Sequence, residues 1–259
     1  MLLYQITLRK LCIRLSYCFL LCLPLFARAE ILQIAVAANV QEPFEEIAKI
    51  FQIKTGIEVK YTIGSTGKFV AQIIHGAPFD LLLSADMEYL AKLHQMHLTA
   101  STPKSYASAR LILWTTHTFD LKNWVNLLQS NQIKRIAIAH PDFAPFGKIA
   151  LKVLQACHLI NKIEHKLVYG NSVAQTNQYI ATGHADLGFT AQSIIFTQAF
   201  AKAGKWIFIP QHLYPSIKQG VVIIKSTRHL AAARKFIELL NSSTAHAIFK
   251  RYGYRLHNN

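Results

Sequence analysis

Acid is scarce in this chain of 259 residues: 13 Asp and Glu stand against 28 Lys and Arg, a formal charge of +15. Cysteine is scarcer still, with four in all, Cys12, Cys18, Cys22 and Cys157. Three of these fall within residues 1–29. There Arg9, Lys10 and Arg14, an apolar run over 15–26, and Ala27-Arg28-Ala29 have the form of a secretory signal peptide. The run is too short for a comfortable transmembrane helix. Cys22 follows Leu20-Leu21 without the small residue that usually precedes a lipoprotein cysteine. With the signal removed near Ala29, Cys157 stands alone, which excludes an intramolecular disulfide even in an oxidising compartment. It lies in an apolar run, 149–159, and is expected to be a buried small hydrophobe. There is no Gly-x-Ser-x-Gly elbow, and no His and acid are paired near a candidate nucleophile, which argues against a secreted hydrolase.

Residues 30–259 number 259 − 29 = 230, enough for one large domain or two lobes of about 100 residues each. The signal carries four basic residues and no acid, so the remaining charge is 28 − 4 − 13 = +11. Such a charge suits nucleic acid. Export and the scatter of the basic residues favour steering of a small anion, or plain solubility. No nucleic acid partner is expected.

Apolar runs alternate with amphipathic stretches, the pattern of an α/β architecture. Strands are expected at 32–38, 58–63, 79–86, 109–115, 135–139, 166–169, 185–190, 206–210 and 220–225. The fourth and last of these are expected to cross between lobes. Helices are expected at 43–54, 69–75, 87–97, 124–129, 148–156, 172–181, 229–241 and 244–251. No internal repeat is visible. The aromatics Phe44, Phe51, Phe69, Tyr179 and Phe249 sit at helical spacing and are expected in the core.

The stretch Ile63-Gly64-Ser65-Thr66-Gly67-Lys68 links a strand to a helix. Its glycines allow a tight turn, Ser65 or Thr66 can cap the helix, and the helix start offers N–H groups and a positive dipole end to an anion. It is not a Walker A loop, because Thr62 and Phe69 stand where that motif needs Gly and Ser or Thr. Three more strands end in short polar loops that feed helices: Asn39-Val40, residues 144–147, and residues 171–173. In open α/β sheets ligands bind at the carboxyl ends of strands. These loops offer an amide, hydroxyls and main-chain N–H groups. None centres on a carboxylate, although Asp142 is near. A fully ionised tetrahedral dianion needs donors only, whereas monoprotonated phosphate also needs an acceptor. The residues therefore lean toward a sulfate-like or molybdate-like oxyanion held by neutral donors in a preorganised cleft.

Five pieces occur in order: Ala35-Val36-Ala37-Ala38-Asn39, Gly64-Ser65-Thr66-Gly67-Lys68, Gly76-Ala77-Pro78-Phe79-Asp80 with Ser84-Ala85-Asp86, Ala144-Pro145-Phe146-Gly147, and Ile248-Phe249-Lys250-Arg251-Tyr252-Gly253-Tyr254. Together they resemble the periplasmic molybdate-binding proteins of ABC importers over essentially the whole exported chain. The resemblance implies a type II periplasmic-binding fold. Two lobes, 30–112 with 218–259 and 113–217, each carry a mixed β-sheet flanked by helices and close like a hinge. It implies that the oxyanion is held by Asn39 and Thr66 from the first lobe and by main-chain N–H groups of Phe146 and Val173 from the second. Many members have Ser at both polar positions, and some add a Tyr where this chain has Ala191. The family also implies a periplasmic monomer that binds molybdate and tungstate, delivers them to an inner-membrane ABC permease, uses no cofactor and catalyses nothing. Sulfate, phosphate or ferric iron remain alternative cargoes, iron being disfavoured because the loops lack Tyr.

Other polar residues have plainer roles. His94 and His97, one helical turn apart, suit a solvated face rather than a metal. Lys68 is expected to point to solvent. Asp86 is expected to brace the helix after it rather than to form a catalytic pair with Asp80. Phe146, after Pro145, is placed to cover the anion.

Overall fold

The computed structural model describes residues 30–197 and 204–256. The signal-peptide reading of residues 1–29 falls outside them. In chain order the elements are β1 (Ile31–Ala37), α1 (Gln41–Thr55), β2 (Glu58–Gly64), α2 (Thr66–Ile74), β3 (Leu81–Ser84), α3 (Glu88–Gln95), β4 (Lys104–Ala109), β5 (Leu111–Thr115), α4 (Trp124–Gln129) and β6 (Ile136–Ala139). They continue with α5 (Pro145–Ala156), α6 (Ile160–Ile163), β7 (Leu167–Gly170), α7 (Val173–Ala181), β8 (Leu187–Ala191), β9 (Lys205–Phe208), β10 (Ile217–Ile223), α8 (Leu230–Leu240) and α9 (Ser243–Arg251).

The local causes are those of the sequence. Pro43 sits in the first turn of α1, and Phe44, Ile47, Ala48 and Phe51 form its buried face. Gly56 stops it in the left-handed conformation, φ 71°, with its N–H on Gln52 O at 2.9 Å. Helix α5 starts at Pro145, earlier than the expected Lys148. Proline suits the first helical position because its φ is preset and its missing N–H is needed by nothing. Phe146 and Gly147 therefore lie in a helical turn, not in a loop. Strand β4 was not expected: Ser105 and Ser108 interrupt its apolar residues, and no hydrophobic run announces it.

Among the described residues ten strands form two sheets of five, in the orders β2-β1-β3-β10-β4 and β7-β6-β8-β5-β9. Each has the same plan. Three strands run parallel, β2-β1-β3 and β7-β6-β8, and the fourth and fifth pair antiparallel. The single strand expected at 109–115 is two, parted at Arg110, with β4 in the first sheet and β5 in the second. The chain returns over 209–216, so β10, expected as a crossing, lies wholly in the first sheet. Helices cover both faces, which is why strands such as β3, with Leu81, Leu82 and Leu83 inaccessible to solvent, are unbroken apolar runs.

Phe44, Phe51, Phe69 and Phe249 are buried as expected, while Tyr179 is half-buried. Cys157, expected to be buried, is half-buried just past the end of α5 and packs on the core edge, and burial pushes its thiol pKa up. Phe236 of α8 is buried against Phe51, with ring centroids 5.1 Å apart, and Phe44, at 5.8 Å. Truncation there leaves a cavity that neighbouring rings do not fill. Phe236→Ala is expected to cost about 3–5 kcal/mol in urea unfolding. Ile53→Ala, at a position 84% exposed, should change stability by no more than about 0.5 kcal/mol.

Candidate functional site

The carboxyl ends of the parallel strands of both sheets meet at a cavity of about 10 Å3. That is room for about one water molecule, far below the roughly 300–1,000 Å3 of pockets for drug-sized molecules. The turns after β1, β2 and β3 contribute Asn39, Ser65, Thr66 and Ala85, and those after β6 and β7 contribute Phe146 and Val173. Asn39, Thr66, Phe146 and Val173, the four residues that the resemblance implied, thus stand around one space. Among the described residues no charged side chain lines it.

Three helices begin at this cavity, and the hydrogen bonds of their first turns show which N–H groups stay open. In α5, Pro145 has no N–H, and Gly147 and Lys148 both donate to Ala144 O, at 3.0 and 3.1 Å. Among the described residues, Phe146 N–H is left. Its ring is buried in the core, so the main chain is what Phe146 offers to a ligand as donor. In α7, Ser172 Oγ accepts from Gln175 N–H at 3.4 Å, and Gln175 Oε1 accepts from Asn171 N–H at 2.6 Å, close to a capping box. Thr176 N–H donates to Ser172 O at 3.0 Å, which leaves the N–H groups of Val173 and Ala174. In α2, Gly67 N–H donates to Phe143 O at 2.7 Å, across to the second sheet's side.

Two hydroxyls stand at the cavity, and the implied assignment names one of them. Thr66 Oγ1 accepts from Ala85 N–H at 3.1 Å and fixes the turn after β3, while its own O–H proton stays available to donate. Ser65, at the N-cap of α2, makes no side-chain cap bond, and its Oγ is buried without a partner. Ser65 is therefore a second open hydroxyl beside Thr66, a residue that the implied set omits. Its capping position was the available signal.

Asn39 was expected to offer its amide N–H. Both of its Nδ2 protons are engaged, one on Gln219 Oε1 at 2.7 Å and one on Tyr254 Oη at 3.2 Å. Gln219 is locked in turn, its Nε2 donating to the carbonyls of Ala85 and Ile217 at 3.1 Å. The carbonyl of Asn39 accepts from the Tyr254 hydroxyl and from Ser193 Oγ, the latter at 2.7 Å. Burial holds the Tyr254 phenol well above the usual tyrosine range, so it stays protonated and donates. The atom left over is Asn39 Oδ1, an acceptor, buried without a partner. Gln219 and Tyr254 were missed as supports. Gln219 had a signal, a polar residue on the apolar face of β10 between Ile217 and Val221.

Elsewhere, Lys68 reaches across to Asn171 Oδ1 at 2.8 Å. Asp86 accepts from Tyr89 N–H at 3.1 Å and so braces α3, and burial raises its pKa. Asp80 accepts from Gln33 N–H at 2.7 Å, with Thr227 and His229 on its other oxygen, and ties strands of the first sheet together. His94 and His97 are exposed. Asp142 is exposed and absent from the cavity wall. Beside the cavity a larger cleft of about 480 Å3 runs between Glu42 and α7, and burial raises the Glu42 pKa.

The chain matches the bacterial extracellular solute-binding protein family over residues 32–255. It is 36% identical to the molybdate-binding protein ModA of Azotobacter vinelandii over 231 residues, 89% of this chain and 92% of the relative. It is also 36% identical to the ModA of Rhodobacter capsulatus over 223 residues, 85% of this chain and 86% of the relative. Among solved structures, the periplasmic molybdate-binding protein of Azotobacter vinelandii superposes with a TM-score of 0.83 at 34% identity, covering 88% of this chain and all of that one.

The two neighbouring hydroxyls should behave oppositely when removed in the absence of any anion. Thr66→Val strips the acceptor from a buried N–H and is expected to lower stability by about 1–3 kcal/mol. Ser65→Ala removes a hydroxyl that has no partner and should leave stability unchanged or slightly raised. Urea unfolding of both variants checks the pair.

Proposed function

The chain belongs to the bacterial extracellular solute-binding protein family, and we propose that its cargo is a small tetrahedral oxyanion, molybdate first, held where the two sheets meet. The observation that carries this reading is the cavity itself. An unpartnered Ser65 hydroxyl and the open N–H groups of Phe146 and Val173 surround a space without a charged side chain. An unpaired buried polar group costs about 1–3 kcal/mol, and an anion that accepts from several such donors removes that cost. Identity of 36% to proteins that bind molybdate supports the choice among oxyanions. Tungstate, nearly the same in size and charge, binds as well.

In this reading the hydroxyls of Ser65 and Thr66 and the N–H groups of Phe146 and Val173 donate, Thr66 also shapes the turn, and the positive ends of α2, α5 and α7 face the anion. The two sheets are lobes, 30–112 with 218–259 and 113–217, that close on it. The loaded protein works as a monomer in the periplasm, its signal cleaved near Ala29, and delivers the anion to an inner-membrane ABC permease. No catalysis is assigned, since no His or acid engages Ser65 Oγ among the described residues.

One atom favours a second cargo. Asn39 Oδ1, held outward by Gln219 and Tyr254, is an acceptor, which suits an anion that still carries a proton, such as hydrogen phosphate. A fully ionised anion is served only if the Asn39 amide turns over and gives up those two bonds.

Calorimetric titration of residues 30–259 with molybdate, tungstate, sulfate and phosphate separates the cargoes. Saturable one-to-one binding of molybdate and tungstate, with little heat from the others, is the expected result, and a response to phosphate alone would overturn it. Ser65→Ala should weaken molybdate by about 10–100-fold, the worth of a hydrogen bond to a charged group. Asn39→Asp, of nearly the same shape, sets a negative charge beside the anion. It should weaken molybdate by about 100-fold or more.

A further inference from the structure

Gly67 has no conformational reason to be glycine. Its φ is not in the left-handed region, it lies in the first turn of α2, and alanine is the better helix former there. The reason lies across the cleft. A Cβ at position 67 would stand 2.7 Å from Phe143 Cα, 2.8 Å from Phe143 O and 2.7 Å from Tyr89 Oη. Two of the three are main-chain atoms, which cannot swing aside as a side chain does. The Gly67 N–H meanwhile donates to that same Phe143 O at 2.7 Å.

Around this contact the two sides are joined three more times. Tyr89 O–H donates to Asp142 O at 2.7 Å, Lys68 Nζ to Asn171 Oδ1 at 2.8 Å, and Lys148 Nζ pairs with Glu88 at 2.7 Å. Each end of the Gly67–Phe143 contact adjoins a ligand group of the proposed site. Ser65 and Thr66 immediately precede Gly67, and Phe146 lies one helical turn beyond Phe143.

We propose that Gly67 is a positioning residue for anion capture: it touches no anion, and the absence of its side chain lets the β2–α2 turn and the 140–144 loop close until Ser65 and Phe146 can reach the same anion. The inference rests on the reading that an oxyanion binds between these loops. A methyl group at position 67 is a wedge. It holds the loops apart by about the width of the missing space, and a hydrogen bond stretched beyond about 3.5 Å is no longer one.

The test uses Gly67→Ala in the chain 30–259, with three readouts: affinity for molybdate, sulfate and phosphate by calorimetry, melting temperature without anion, and radius of gyration by X-ray scattering. Affinity for whichever anion binds the wild type is expected to fall by about 100-fold or more, the loss of one or two charge-assisted hydrogen bonds. The anion-free melting temperature should stay level or rise, because alanine favours the helix. The wild type should contract on saturation and the variant should not. Tyr89→Phe removes one clasp without a wedge and should weaken binding by roughly threefold to tenfold at an unchanged melting temperature. Wild-type affinity in Gly67→Ala overturns the proposal. So does an affinity loss matched by a fall in the anion-free melting temperature, which would mark a merely structural glycine. If the wild type binds none of the three anions, the functional reading fails. Scattering then decides the wedge alone: a larger radius for Gly67→Ala supports it, and equal radii overturn it.

Discussion

The carbonyl and amide of Asn39 tie together segments that the chain keeps far apart. Tyr254, from the C-terminal end, and Ser193, from beyond the second sheet, both donate to its carbonyl, while Gln219 of the returning strand β10 holds its amide. The turn after β1 is one wall of the cavity, so this knot sets where the wall stands relative to β10, the C-terminus and the second sheet. Inside a protein such bonds are stronger than in water, and a half-satisfied network is costly. The one atom of the knot left unpaired, Asn39 Oδ1, belongs to a residue that lines the cavity.

The rest of the site follows from strand ends. Each sheet places three parallel strands side by side, and each parallel strand ends beside the start of a helix or a tight turn. The helix starts leave main-chain donors that no helical bond can satisfy. Two sheets built on the same plan therefore bring donors from both sides to one place without any lysine or arginine. Selectivity in such a site comes from the number and direction of neutral donors and from the balance of donors and acceptors, not from net charge. The basic surface outside it can draw anions near.

Much of this was legible along the chain because it is local. Apolar runs mark the buried strands, Pro43 and Gly56 bound α1, and the Gly64-Ser65-Thr66-Gly67-Lys68 turn announces a helix start. What was not legible depends on distant partners. That Thr66 Oγ1 also pins the turn after β3, and Ser65 Oγ pins nothing, is decided by Ala85 N–H on another strand. The direction of the Asn39 amide is decided by Gln219 and Tyr254. Pro145 looked like part of a loop, yet it opens α5 and so places Phe146 N–H at a helix end. Strand β4 carries too many serines to show an apolar pattern, and the break at Arg110 depends on which sheet each neighbour joins. The need for glycine at position 67 is visible only when Phe143 is opposite it.

The central claim is that one oxyanion is held by donors from both sheets at this cavity. Crystals grown with molybdate and measured for anomalous scattering from molybdenum test it most directly. The account predicts a single strong peak, with oxygens of the anion within hydrogen-bond distance of Ser65 Oγ and of the main-chain nitrogens of Phe146 and Val173. A peak in the larger cleft beside Glu42, or at surface lysines with the cavity empty, would contradict it.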